Sequence, residues 1–120
     1  MWRAVGADTF NPFTPDYNKY FYERFTSGTS SGTYNVKIPD DCKRGIVLIV
    51  QYCGIYSAEI SGNDGIKRKK AIFVDIGNPA NEFGRSSMCL WACKFMPGGT
   101  FNLSIVSSRV EVSCDLFIIY

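Results

Sequence analysis

Thr33-Tyr34-Asn35-Val36-Lys37-Ile38 alternates apolar and polar residues, and this alternation decides the fold class. Successive side chains of a strand point to opposite faces, so Tyr34, Val36 and Ile38 share an inward face while Asn35 and Lys37 meet water. Pro39-Asp40-Asp41 breaks the strand. The same grammar repeats downstream in apolar strands over Gly45 to Cys53, Ser57 to Ser61, Ala71 to Ile76, Ser86 to Phe95, Thr100 to Ser107 and Val112 to Tyr120. Between them lie Gly62-Asn63-Asp64-Gly65, a turn of the hairpin kind, then Gly77-Asn78-Pro79 and Pro97-Gly98-Gly99. No helical period follows residue 30. Short strands separated by turn residues predict an all-β chain, an antiparallel β-sandwich with the jelly roll as the leading form.

Working upstream, residues 1–32 form an aromatic-rich N-terminal arm and hinge, set apart from a sandwich domain over 33–120. Its aromatics are Trp2, Phe10, Phe13, Tyr17, Tyr20, Phe21, Tyr22 and Phe25, and it ends in the Ser/Gly/Thr run Thr26 to Thr33. Thr14-Pro15-Asp16 is a helix start that would put Tyr17, Tyr20, Phe21 and Phe25 on one face. The rival reading, slightly favoured, makes Lys19 to Thr26 a strand paired with Thr33 to Ile38. Trp2, Phe10, Phe13, Tyr17, Tyr20 and Phe21 are the candidate partner-binding residues, because aromatics bury large area with few rotamers to freeze. The arm either closes its own core or reaches onto a neighbour.

Three strands carry apolar groups on both faces. Ile46, Leu48 and Val50 oppose Val47 and Ile49; Met88, Leu90 and Ala92 oppose Cys89, Trp91, Cys93 and Phe95; Leu116, Ile118 and Tyr120 oppose Phe117 and Ile119. A sandwich strand normally keeps one wet face. One small sandwich has one interior, so the second face needs a cover: the arm, neighbouring subunits, or both. Covering a patch of several hundred Å² contributes on the order of 10 kcal/mol before association entropy is subtracted. Left bare, such a patch promotes aggregation. The expectation is a closed homo-oligomer with Ile46, Leu48, Trp91, Phe95, Phe117 and Ile119 at the subunit interface. A thick core beneath a folded-back arm is the alternative.

Composition narrows the chemistry. The 120 residues are 46% hydrophobic and 20% charged, a globular balance, with a net charge of +2 that points to neither nucleic acid nor membrane. There is no histidine, which excludes Ser-His-Asp and Cys-His catalysis and His-ligated zinc. Cys42, Cys53, Cys89, Cys93 and Cys114 contain no C-x-x-C pair and read as packed, reduced thiols. Nothing assembles a nucleophile, a base and an oxyanion site, so no catalytic residue, metal or cofactor is expected and the chain reads as a non-enzyme. Lys67-Arg68-Lys69-Lys70 lacks interleaved aromatics, so it is a charged loop or edge strand, or an acidic-partner patch.

Gly32-Thr33-Tyr34-Asn35-Val36-Lys37-Ile38-Pro39 with the strand Ile46 to Val50, and Met96-Pro97-Gly98-Gly99-Thr100-Phe101-Asn102-Leu103-Ser104-Ile105 with an apolar terminal strand, resemble a known grammar. It is that of small β-sandwich proteins of bacteriophage particles: head decoration (cement) proteins and the tips of tail fibres and spikes. The resemblance spans residues 30–120. It implies a homotrimer assembled in the host cytoplasm and resident in the virion, with no catalytic residues to carry over. The function expected from it is a capsid decoration protein that oligomerises and stabilises the shell of the major capsid protein, contacting neither nucleic acid nor membrane. The alternative is a glycan-binding receptor module of a tail fibre or spike, using loops near Asn78 to Arg85 or Asn63 to Asp64.

Overall fold

The alternating segments become strands in the computed structural model, which describes residues 17–51, 55–61, 64–74, 87–107 and 112–120. The described residues contain β1 (Tyr20–Ser27), β2 (Ser31–Lys37), β3 (Arg44–Gln51), β4 (Ile55–Ser61), β5 (Ile66–Val74), β6 (Ser87–Phe95), β7 (Thr100–Ser107) and β8 (Val112–Ile119), and no helix. They form two antiparallel sheets, ordered β1-β8-β3-β6-β5 and β2-β7-β4, packed as a β-sandwich. First pairs with last, second with seventh and third with sixth, the nested order of a jelly roll. The fifth strand departs from that order. It hydrogen-bonds to β6, not β4, and so widens the first sheet to five strands.

Alternation sends one residue in two to the interior. Val47 and Ile49 of β3, Trp91 and Phe95 of β6 and Leu116 and Ile118 of β8 meet Val36 of β2, Ile60 of β4 and Phe101, Leu103 and Ile105 of β7 in one buried cluster. The Phe95 and Phe101 rings stack across the sheets, 6.1 Å apart at their centroids. At one end the Gln51 amide donates to Ser107 Oγ at 2.5 Å, so this buried polar pair ties the sheets together without an apolar contact. Geometry requires glycine at positions that include Gly98 and Gly45. Gly98 takes φ +76° in the Pro97-Gly98-Gly99 turn, and a Cβ on Gly45 would stand 2.7 Å from the Ile119 carbonyl oxygen of the neighbouring strand.

Several expectations change here. Tyr20–Ser27 is a strand, not a helix, but its partner is β8, with Tyr22 opposite Phe117 and Phe25 opposite Cys114. The next segment crosses to the other sheet and does not fold back as a hairpin. Val112 N–H donates to Thr29 O at 3.0 Å and Ser107 N–H to Ser30 O at 2.7 Å, while the Thr29 hydroxyl caps Ser31 O at 2.7 Å. The crossing lets Phe25 and Tyr34 face each other at 4.8 Å from opposite sheets. The part of the arm from Tyr20 onward thus contributes the first strand of the sandwich, and β2 begins at Ser31. Similarly, the Gly-rich stretch before Ile66 joins strands of different sheets and closes no hairpin.

Candidate functional site

The two outer surfaces of the sandwich differ in kind. On the three-stranded sheet Thr33 faces Ser104, with hydroxyls 3.3 Å apart, and Asn35 donates to the Asn102 amide oxygen at 3.2 Å. Ser57, Glu59 and Ser61 complete this polar surface, which water can solvate without loss.

The five-stranded sheet is the opposite case. Tyr22, Phe117, Leu48, Leu90 and Phe73 lie in register, one from each strand, and form an apolar row across the whole sheet. The row beside it runs Tyr20, Ile119, Ile46, Ala92 and Lys70, and the row on the other side runs Arg24, Asp115, Val50 and Met88. All are half-buried or exposed, with Tyr20 71% and Phe73 49% accessible. With strands about 4.8 Å apart and same-face residues about 6.8 Å apart, the apolar area is on the order of 500 Å². Monomers rarely leave a larger patch bare. Nothing among the described residues covers it.

Polar groups border the patch where the sheet ends. Arg24 donates to Asp115 through Nε at 2.8 Å and through Nη2 at 3.0 Å, and the Tyr22 hydroxyl donates to the same carboxylate at 2.7 Å. The guanidinium first, and the phenol after it, hold the Asp115 carboxyl below its ordinary range. Because folding lowers this pKa, the stabilisation is complete above about pH 4 and is lost as pH falls through the depressed folded value. Wild-type melting temperature is therefore expected to drop more steeply below pH 4 than that of Asp115→Asn. Parallel acid limbs for the two proteins in scanning calorimetry would remove Asp115 from this role.

At the neighbouring corner Lys19 Nζ bonds Asp41 Oδ2 at 2.8 Å, the Tyr120 hydroxyl donates to Asp41 Oδ1 at 2.9 Å, and Tyr120 N–H donates to Lys19 O at 2.9 Å. These bonds pin the chain beside the apolar rows. Tyr17, at φ +59°, then turns it along a groove of about 490 Å³ whose floor includes Leu48, Phe117 and Ile119.

The basic run divides by parity. Lys69 turns towards the smaller sheet and bonds Glu59 Oε1 at 2.6 Å. Arg68 and Lys70 turn outward, opposite Lys94 and Ala92, and Arg44 lies opposite Lys94 on the far side. The run is thus part of β5, the edge strand, and two of its four cations join a basic corner of the apolar face. Lys67 is exposed at the start of that strand, beside an irregularity in its pairing.

Of the six residues expected at a subunit interface, Ile46, Leu48, Phe117 and Ile119 lie on this outer face. Trp91 and Phe95 do not. They are 4% and 1% accessible and point into the core, with the opposite parity on β6. Among the arm residues, Tyr17 and Tyr20 are exposed beside the groove and Phe21 packs against the core, while Trp2, Phe10 and Phe13 lie outside the described residues. So do the loop residues Asn78 to Arg85 and Asn63. Sequence reasoning missed Arg44, Lys94 and the Tyr22–Arg24–Asp115 cluster. A signal existed: Arg44, Lys94 and Asp115 share parity with Leu48, Leu90 and Phe117, and a charge marks the outward face of a doubly apolar strand.

The described cysteines are buried, reduced thiols. Burial pushes the thiols of Cys42, Cys93 and Cys114 up to about 12, so none carries appreciable thiolate at neutral pH. Among the described residues no group of three cysteines or carboxylates is placed to hold a metal ion. No family model matches the chain, and neither does any curated protein or solved structure.

Proposed function

We propose that the chain is a structural subunit of a virus particle, a decoration or cement protein that oligomerises and binds the shell of the major capsid protein without catalysing a reaction. One observation carries the reading: the five-stranded sheet has a continuous apolar outer face, at the upper end of what monomers leave bare, and no cover among the described residues. The nested strand order adds support by analogy of fold, since jelly rolls recur in capsid proteins. Burying such a face at junctions between shell subunits adds contact area and raises the barrier to rupture. In this reading copies of the chain, three in number, share the face near Leu48 and Phe117, and Trp2, Phe10 and Phe13 extend the grip.

The test uses shells assembled from the major capsid protein of its own virus. Adding the full chain is expected to raise the temperature at which the shells break, and light scattering is expected to give a trimer mass for the free protein. Deleting residues 1–16 preserves all of β1, so the sandwich should stay folded while attachment weakens. A chain that remains monomeric at micromolar concentration and leaves the shells unchanged overturns the proposal.

A further inference from the structure

We infer that the β5–β6 end of the apolar face receives a different protein, one that presents carboxylates beside an apolar ridge, and is not the contact between copies of the chain. The inference rests on the reading of this face as an assembly surface and names the chemistry of one partner.

Arg68, Lys70 and Lys94 project from the same surface, with Arg68 directly opposite Lys94 and Lys70 opposite Ala92 one register step away. Residues opposite each other on one face stand roughly 5 Å apart, so these are like charges at close quarters. With Ala92 they border a depression of about 190 Å³, a space that suits a carboxylate. No ion pair answers Arg68, Lys70 or Lys94 among the described residues. Edge protection accounts for cations on β5, whose open side invites pairing with another chain. It does not account for Lys94, because β6 lies inside the sheet between β3 and β5. A cation placed there, one step from the apolar row of Leu90 and Phe73, must be matched when that row is covered and water leaves.

A second copy that meets this corner with its own outer face does not supply the match. The outer face of this sheet holds one described carboxylate, Asp115, and Arg24 and Tyr22 already occupy it. Phosphates of a nucleic acid would answer the cations but would set a charged backbone against Leu90 and Phe73. An acidic protein surface answers both, with carboxylates over the corner and apolar side chains over the row.

Three probes separate these cases in fluorescence anisotropy with the full chain: a peptide alternating leucine and glutamate, one alternating leucine and lysine, and a labelled oligothymidine. The glutamate peptide is expected to bind best at low salt. Its Kd should rise about tenfold or more in the double variant Arg68→Glu, Lys94→Glu, and also in the milder Arg68→Gln, Lys94→Gln. Light scattering should show the same oligomer for these variants as for the wild type. Equal binding of both peptides, or oligothymidine binding that outcompetes the glutamate peptide, overturns the inference. So does dissociation of the oligomer by a charge variant that circular dichroism shows to be folded, because the corner would then be a copy-to-copy contact. Failure of the assembly reading looks different: the wild type is then monomeric and does not protect shells, whatever the peptides do.

Discussion

If copies assemble through this face as proposed, Leu48→Glu is expected to turn the oligomer into monomers while the sandwich stays folded. Leu48 sits at the middle of the apolar row, opposite Phe117 on one side and Leu90 on the other. In an isolated subunit the position is half-buried, so a carboxylate there reaches water and costs the fold little. In an assembly it would be stripped of water with no cation facing it, a cost of several kcal/mol. Association is therefore expected to weaken by about a hundredfold or more, since 1.4 kcal/mol is tenfold in affinity. Light scattering at micromolar concentration reads the mass, and melting temperature reads the fold. An undiminished oligomer would show that this face is not where copies meet.

Trp91→Ala is expected to do the reverse. Trp91 is one position from Leu90 in sequence but lies on the other side of the sheet, 4% accessible among core residues. Removing it leaves a cavity and should cost about 3–5 kcal/mol. For a chain of this size that lowers the melting temperature on the order of 15 °C. Phe101→Ala, across the core on β7, serves as the control and should behave alike. What remains folded should assemble as the wild type does. Normal melting with lost association would place Trp91 at an interface and contradict its burial.

The pair of variants shows where sequence reading stops on β6. Both faces of Met88 to Phe95 are apolar, so hydrophobicity alone gives no reason to send Trp91 inward and Leu90 outward. On sequence alone Trp91 and Phe95 are expected at the interface because their strand is apolar on both faces, yet the interior between two sheets is where the largest side chains are needed. Lys94 resolves the choice, because an unpaired cation facing the core would cost more than any gain from hiding Leu90. The cationic corner was less accessible still. Arg44 is separated from Arg68 by more than twenty residues, and only pairing through β6 brings them to one surface.

By itself, the sequence determined that the chain from residue 33 onward is read in strands, that these strands build a sandwich, and that three of them carry more apolar surface than one interior can take. Those are consequences of a two-residue period and of composition, and both are local. The tertiary structure alone decided that β1 joins β8, that β5 joins the larger sheet, and that the surplus apolar surface gathers on one outer face with cations at its corner. Strand pairing is a long-range choice made by whichever register buries the most apolar area with every backbone group hydrogen-bonded, and no short window of residues contains that information.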